Sequence, residues 1–251
     1  MRDHSLNIVP VPTQFHVPIN EDAEPLSVAT QEQVDAHWQR VNADGKFFRG
    51  ELFIIDSIHH TNDELVIAMK ASDYAHHLYA KSSTLHPQEA CTILAPAALI
   101  RTKDNYLIFG RMGEHTAKPR IIQCVGGGID DADVVNGEID LVGNIQREVL
   151  EEVGLSTKMM EHVTSIGPLC LVYPEAYVWV AVIYEINIPM RKDEFVSFFE
   201  AHQTRLRRAG NEPELMEIIS VKADRKSLRT FVSDQSDDLI RYLPPLLNAI
   251  K

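Results

Sequence analysis

The chain has 251 residues, of which 45 % are hydrophobic and 24 % are charged, and these proportions exclude a disordered chain, a collagen-like fibre and a coiled coil. Its 24 basic and 36 acidic residues give a net charge of −12 at pH 7, which argues against nucleic acid or an anionic membrane as a partner. No stretch approaches the roughly 20 apolar residues that span a bilayer, and prolines and acids interrupt residues 1–25, where a signal peptide needs an apolar core. We therefore expect a cytoplasmic protein.

The first ninety residues predict a small α+β extension. The expected elements are an extended arm over 1–28, a helix after the capping-box spacing of Thr30 to Gln33, strands over 51–58 and 64–69, and a helix over 72–80. Within this unit, 1–90, the elements over 30–80 have too few residues for a core of their own. We expect the unit to pack on the rest of the chain or on a second copy in a homodimer.

Residues 91–251 predict a second domain in which strands alternate with helices. The expected strands are 92–101, 106–111, 121–125, 166–173, 177–186 and 218–221, and the expected helices are 141–153, 195–208 and 237–250, the last interrupted by Pro244-Pro245. The third strand ends in three glycines, and Gly154 follows the first helix where a left-handed cap residue is expected. This order predicts an α/β fold with a mixed sheet between helices.

The helix over 141–153 carries an acidic cluster. Residues three and four apart share one face of a helix, so Glu148, Glu151 and Glu152 stand together. Like charges at this spacing destabilise an isolated helix, and a divalent cation with oxygen ligands would turn the repulsion into binding energy. The alternative for an acidic helix turn is a solvated surface without a function.

The segment from Arg147 to Leu155 resembles the signature of the Nudix hydrolase superfamily. This part of the signature reads Arg-Glu, an aliphatic residue, any residue, Glu-Glu, any residue, Gly and an aliphatic residue. The segment from Arg147 to Leu155 matches it at every specified position. The upstream half departs from the signature, because eight residues separate Glu138 from Arg147 and nine separate Gly128 from Glu138, where the family has seven and five. The loop before the helix therefore carries an insertion, and the role of Glu138 stays open.

The resemblance implies an α/β/α sandwich and a set of site residues. Magnesium or manganese would be held by the three glutamates, Glu148, Glu151 and Glu152, with Glu148 also a candidate base. Arg147 would orient a glutamate through charge-assisted hydrogen bonds, and Gly127 and Gly128 would let the loop reach the site. The family takes its base either from this helix or from a later loop. In this chain the loop candidates are Glu212, Glu214 and Glu217, of which Glu214 is preferred because it stands before the last strand.

The activity implied by this resemblance is metal-dependent hydrolysis of the diphosphate in a nucleoside diphosphate linked to another group, which releases a nucleoside monophosphate. The stretch 47–79, with the tryptophan helix before it, is distantly similar to a Nudix branch that cleaves UDP-sugars, and this favours a nucleotide sugar as the substrate. The alternative is a non-catalytic Nudix-fold module that binds a ligand or regulates a partner. The altered upstream half of the signature favours that alternative, whereas the three retained glutamates favour the enzyme.

Overall fold

The computed structural model describes residues 6–61, 63–159, 161–174 and 179–250. Its strands are β1 (Leu6–Val9), β2 (Gln14–His16), β3 (Glu51–His60), β4 (Glu64–Asp73), β5 (Ile93–Arg101), β6 (Tyr106–Met112), β7 (Ile122–Gln123), β8 (Val134–Val135), β9 (Glu138–Ile139), β10 (Ser165–Pro174), β11 (Trp179–Asn187) and β12 (Leu215–Lys222). Its helices are α1 (Val28–Val41), α2 (Tyr74–Ser82), α3 (Leu141–Val153), α4 (Lys192–Arg208), α5 (Arg225–Asp234) and α6 (Leu243–Ala249). None of these helices has the length and apolar character needed to cross a membrane.

The large sheet is mixed and has helices on both faces. Its strand order is β1-β10-β11-β5-β6-β12, with β7 paired to β6, and β11 runs parallel to β5 while the other pairs are antiparallel. Apolar residues of α3 and α4 cover one face, and those of α5 and α6 cover the other. The predicted α/β class, with a mixed sheet sandwiched between helices, is confirmed.

Alternation along β5 shows how one strand serves both faces. Ala98 and Ile100 belong to the core under α3 and α4, whereas Ala97 and Leu99 belong to the core under α5 and α6. Because side chains of a strand alternate between faces, a strand covered on both sides is apolar at nearly every position. This explains why residues 92–101 are so uniformly apolar.

The N-terminal extension packs on the rest of the same chain. Its three-stranded sheet, with the order β2-β4-β3, contributes Phe53, Leu65 and Met69 to the core that α3 also lines. The backbone N–H of Ile55 donates to the carbonyl of Thr92 at 2.8 Å. The extension and the large sheet therefore share one core, while the homodimer and the division of the chain at residue 90 stay predictions.

The arm predicted to be extended over 1–28 contains two strands among its described residues. Leu6–Val9 forms β1, an edge strand of the large sheet in register with β10 from Leu6 opposite Pro174 to Val9 opposite Leu171. Gln14–His16 forms β2 of the small sheet. The edges of two sheets supply partners for backbone groups of a segment whose own sequence has no periodic pattern.

Two helix boundaries also differ from the prediction. The N-cap of α1 is Ser27 rather than Thr30, since the Ser27 side chain accepts from the backbone N–H of Thr30 at 3.3 Å. At the C-terminus, the helix predicted over 237–250 begins only at Leu243, so Pro244 and Pro245 lie in its first turn instead of interrupting it. Proline is tolerated there because the first N–H groups of a helix have no intrahelical partner.

Candidate active site

Helix α3 has the predicted bounds and positions the acidic cluster. Its N-cap, Asp140, accepts a hydrogen bond from the backbone N–H of Gly143 at 2.9 Å, and Gly154 ends the helix with φ +80°. Ile145, Val149 and Val153 are fully buried against the sheet. Because this apolar stripe fixes the rotation of the helix, the face that carries the glutamates turns toward the glycines after β7.

Two of the three predicted metal ligands are buried at this glycine turn. Glu148 and Glu152 retain only 8 % and 6 % of their exposure, and the Glu152 carboxylate accepts from the backbone N–H of Gly126 at 3.2 Å. A Cβ atom at Gly127 would collide with the carboxylate of Glu148, whereas one at Gly128 would meet nothing within 4 Å. The close approach predicted for both glycines is therefore required at Gly127 only.

Arg147 holds the Glu148 carboxylate in place. Its Nη1 donates to Glu148 Oε1 at 2.8 Å, and its Nη2 donates to the two carboxylate oxygens of Asp133 at 3.0 and 3.2 Å. The side chain of Glu151 is 61 % exposed and its Oε2 lies 3.7 Å from Arg147 Nη1. The arginine is therefore bound to the Glu148 carboxylate, while Glu151 lies on the solvent side.

Two residues of this network were missed by the sequence reading. Asp133 is 4 % exposed and Asn144 is fully buried, and the Asn144 side-chain amide donates to Asp133 at 2.9 Å and to the carbonyl of Gly128 at 2.8 Å. Asn144 stands three residues before Arg147, so their shared helix face was a usable signal. Asp133 forms a capping box with Asp130, and its distance from Arg147 in sequence gives no hint of contact.

Burial makes the charged form of Glu148 and Glu152, the two inner glutamates, costly in free energy. It is the largest cause that raises the pKa of Glu148 to about 7, with the charges of Glu151, Glu214 and Asp133 acting in the same direction and Arg147 opposing them. Burial, followed by the charges of Glu148 and Glu214, also raises the pKa of Glu152 well above its ordinary value, and the Gly126 N–H opposes this. A cation placed between the two carboxylates would remove this penalty.

Of the three loop candidates for a base, Glu214 is the one whose charge acts on both inner glutamates. It is exposed, it immediately precedes β12, and its backbone carbonyl accepts from the N–H of Gly113 at 2.7 Å. This bond ties the loop that carries Glu214 to the end of β6.

The other two loop candidates have partners elsewhere. Glu212 lies 3.2 Å from His115 Nδ1, and Glu217 accepts from Arg111 Nε at 2.7 Å. Arg111 is also bound to Asp238 at 2.7 Å, so Glu217 belongs to an ion-pair network beside the last strand. Glu214 stays the predicted base.

The insertion in the signature loop forms a small β-hairpin. Strands β8 and β9 pair across Asn136 and Gly137, which have φ angles of +52° and +80°, as a two-residue type I′ turn requires. Glu138 follows the turn with its side chain 51 % exposed, 3.7 Å from His16 Nδ1. Gly137-Glu138 is thus part of a hairpin that faces the extension, and none of its described contacts joins Glu138 to the glutamates of α3.

The donor set fits a magnesium ion that shares its coordination with a substrate. Within the described ranges, no three His, Cys, Asp or Glu side chains converge in a way that could hold a metal ion. Mg²⁺ in nucleotide enzymes is usually bound through one or two carboxylates together with waters and substrate phosphates. The two buried carboxylates, Glu148 and Glu152, supply oxygen ligands of that kind, and Glu151 stays a predicted ligand.

Comparisons with known proteins found solved structures with a likeness to part of this chain. No family model matches, and no curated protein matches. One solved structure with a likeness to this chain is the DR0079 protein of Deinococcus radiodurans, with 12 % identity over 63 % of this chain and 82 % of that chain and a TM-score of 0.43. A Nudix hydrolase from Nitrosomonas europaea has 11 % identity over 62 % of this chain and 85 % of that chain, with a TM-score of 0.35. The MutT protein of Methanosarcina mazei has 14 % identity over 63 % of this chain and 92 % of that chain, with a TM-score of 0.36.

The structure from Nitrosomonas europaea is named as a Nudix hydrolase, the superfamily whose signature the segment 147–155 resembles. The identities of the three structures to this chain lie between 11 % and 14 % and their TM-scores lie below 0.5, so the likeness carries no inference about activity. The similarity of residues 47–79 to the UDP-sugar-cleaving branch stays a prediction. What the chain does is inferred from its site.

Proposed function

We propose that this protein is a Mg²⁺- or Mn²⁺-dependent Nudix-type hydrolase that cleaves the diphosphate of a nucleoside diphosphate linked to another group. The observation that carries the proposal is the burial of Glu148 and Glu152 side by side against the glycine turn. Two carboxylates with raised pKa values are expensive to bury as charges, and a structure retains such a pair where a cation or a reaction uses it.

The bound metal would neutralise charge on the diphosphate and lower the pKa of an attacking water. Glu148 and Glu152 would hold it, with Glu151 as a third ligand. Arg147 acts on the substrate only indirectly, by fixing the Glu148 carboxylate, and Asp133 in turn fixes Arg147. The exposed Glu214 would accept the proton of the water.

The proposed reaction is a hydrolysis whose atoms balance without a further reactant. The water oxygen forms a bond to one phosphorus, the bond from that phosphorus to the bridging oxygen breaks, and the leaving phosphate group carries the bridging oxygen away. One proton of the water passes to Glu214, and the products are a nucleoside monophosphate and a phosphorylated second product. We propose a nucleotide sugar as the substrate, on the similarity of residues 47–79 alone.

One observation favours the alternative of a non-catalytic binding module. The described residues hold no preformed group of three metal-binding side chains, and Glu151 points toward solvent. A module of this kind would bind a nucleotide without consuming it. The enzyme is preferred because a binding module has no need for a buried carboxylate pair beside an exposed glutamate.

A substrate panel separates the two functions. The purified chain is incubated with UDP-glucose, ADP-glucose, a dinucleoside diphosphate and UTP, with Mg²⁺, with Mn²⁺ or with EDTA, and monophosphate release is followed by chromatography. We expect release from a diphosphate-linked substrate only with a divalent cation, and a loss of roughly 10²-fold or more in Glu152→Gln. Binding of a nucleotide without release under every condition would instead establish the binding module.

A further inference from the structure

Asp133 stands at the signature spacing after the glycine turn. Five residues separate Gly127 from Asp133, and five is the number that the family signature has between its glycine and its glutamate. Gly127 is also the glycine whose missing Cβ lets the Glu148 carboxylate approach the turn. The spacing and the close approach therefore select the same glycine, and counting from that glycine leads to Asp133 and not to Glu138.

The hairpin of β8 and β9 accounts for the extra residues between Asp133 and the arginine of the signature. Thirteen residues separate Asp133 from Arg147, six more than the seven of the signature, and the hairpin with its turn occupies the six residues 134–139. The two ends of the hairpin lie together, because the backbone N–H of Asp140 donates to the carbonyl of Asp133 at 2.8 Å. The hairpin is therefore an excursion that the chain makes between two adjacent points.

The Asp133 carboxylate is held in place from several sides. It is 4 % exposed and accepts from Arg147 Nη2 with both oxygens, while Nη1 of the arginine donates to Glu148. The side-chain amide of Asn144 and the backbone N–H of Asp130 also donate to Asp133, at 2.9 and 3.1 Å. These hydrogen bonds leave the carboxylate one position, so that it can fix the orientation of the guanidinium that it binds.

The charge of Asp133 also bears on whether a cation can bind beside Arg147. A guanidinium next to a metal ligand repels the metal, because two positive charges then share one carboxylate. Asp133 offsets the charge of the arginine from the buried side, and it engages the nitrogen that could otherwise bind a second oxygen of Glu148. Without Asp133, the arginine and a metal ion would compete for the Glu148 carboxylate.

Glu138 has a different set of neighbours. Its side chain is 51 % exposed and lies 3.7 Å from His16 of the extension. Backbone hydrogen bonds of 2.8 and 2.9 Å join the hairpin that carries Glu138 to residues 17–19. The hairpin therefore attaches the extension to the rest of the chain.

We propose that Asp133 is the acid of the signature's upstream half in this chain and acts as a positioning residue for the metal site. It fixes Arg147, and through Arg147 it fixes the Glu148 carboxylate. The hairpin over 134–139 is a six-residue insertion after this acid, and it attaches the extension without taking part in the site. The inference rests on the proposed function in taking Glu148 as a metal ligand.

The first test neutralises each acid without changing its size. Mn²⁺ binding is measured from the electron paramagnetic resonance signal of the free ion, and kcat is measured with the diphosphate that is hydrolysed fastest. Loss of a residue that orients a metal ligand costs roughly 10- to 100-fold in metal affinity or activity. We expect Asp133→Asn to lose roughly ten-fold or more in both quantities, whereas Glu138→Gln and the matched control Asp131→Asn, an exposed acid of the same turn, should keep the values of the unmodified protein.

A double-mutant cycle tests whether Asp133 acts through Arg147. If it does, Asp133→Asn should not weaken Mn²⁺ binding further in a protein that already carries Arg147→Gln. The loss in the double variant should then equal the larger of the two single losses. Losses that add in full would show that the two residues act independently, and would refute the action through the arginine.

Deleting residues 134–139 separates the site from the attachment of the extension. The deletion leaves seven residues between Asp133 and Arg147, as in the signature. We expect the variant to keep the Mn²⁺ affinity of the unmodified protein and to melt at a lower temperature, because the hydrogen bonds to the extension are lost. Loss of Mn²⁺ binding in a folded deletion variant would overturn the proposal. If the deletion prevents folding, the comparison of Asp133→Asn with Glu138→Gln decides.

The outcomes separate this inference from the function on which it rests. Weaker Mn²⁺ binding in Glu138→Gln than in Asp133→Asn would assign the signature acid to Glu138, and unchanged binding in both would remove either acid from the site. Each of these results overturns the proposal, and the hydrolase stands if monophosphate is still released. A protein that binds Mn²⁺ without hydrolysis leaves the comparison of Mn²⁺ affinities decisive. An unmodified protein that neither binds Mn²⁺ nor releases monophosphate would refute the proposed function and this inference with it.

Discussion

Replacing Glu148 by glutamine tests whether the buried negative charge of Glu148 lowers the free energy of unfolding until a metal ion binds. In the metal-free protein the pKa of Glu148 is raised to about 7, from an ordinary value of 4.5. A carboxyl group whose pKa is raised in the folded state binds more protons there than in the unfolded chain. Its favourable contribution to the free energy of unfolding is therefore fully present below pH 4.5 and is lost as the pH rises toward 7.

The magnitude follows from the pKa difference. At about 1.4 kcal/mol per pH unit, the rise from 4.5 to about 7 corresponds to about 3 kcal/mol lost between acidic and neutral pH. Glutamine is neutral at every pH and its carbonyl can still accept from Arg147, although the charge assistance is lost. We expect Glu148→Gln to be more stable than the unmodified protein at pH 8 by about 2 kcal/mol, which is roughly 4–8 °C in melting temperature.

The assay is thermal unfolding in EDTA at several pH values from 5 to 8, with Glu200→Gln as the control because its side chain is exposed on α4. The melting temperature of the unmodified protein should fall relative to Glu148→Gln as the pH rises, and the control should follow the unmodified protein. Added Mg²⁺ at pH 8 should then stabilise the unmodified protein and not Glu148→Gln. Parallel curves for all three proteins in EDTA would refute the buried-charge reasoning.

Three further predictions concern the glycine turn, the base and the extension. Gly127→Ala should lose about 10²-fold in kcat because the added Cβ displaces the Glu148 carboxylate, whereas Gly128→Ala, measured beside it, should retain the kinetics of the unmodified protein; equal kcat values would contradict the close approach. Glu214→Gln should lower kcat by roughly 10²-fold or more while Glu217→Gln changes it less than about two-fold, and the reverse order in the same assay would move the base. Deleting residues 1–88 removes β1 and uncovers the core shared with the small sheet, so the remainder should aggregate on gel filtration; a soluble fragment with unchanged KM would show that the extension is dispensable.

The elements that could be predicted are those in which several local signals agree. For α3, a capping residue at Asp140, a four-residue apolar period and the terminal Gly154 all indicate the same bounds, and the helix lies where expected. Helix α5 was missed although Asp224 caps it, because its apolar face is short, with Leu228 and Phe231 as its buried residues. Periodicity over ten residues with two buried positions is too weak to predict a helix.

In the site, too, the contacts within one helix could be predicted from the sequence, whereas the contacts with distant loops could not. Helical spacing is sufficient to bring Glu148 and Glu152 to one face and to place Arg147 beside them. Which glutamate is buried depends on the glycine turn, and what holds Arg147 depends on Asp133, fourteen residues earlier in a loop. Such contacts are set by how the loop folds, which no periodic pattern in the sequence encodes.

The signature loop shows why a spacing must be interpreted through local structure before it is used. Counted along the chain, Glu138 resembles the upstream glutamate of the Nudix signature, with one extra residue between it and Arg147. Asn-Gly between short apolar runs is also the strongest sequence indication of a two-residue hairpin, and that is how Asn136 and Gly137 fold. The hairpin turns Glu138 away from the carboxylates of α3 and toward His16 of the extension. The same hairpin lines a cavity of about 320 Å³ together with Phe15 and Val17 of the extension.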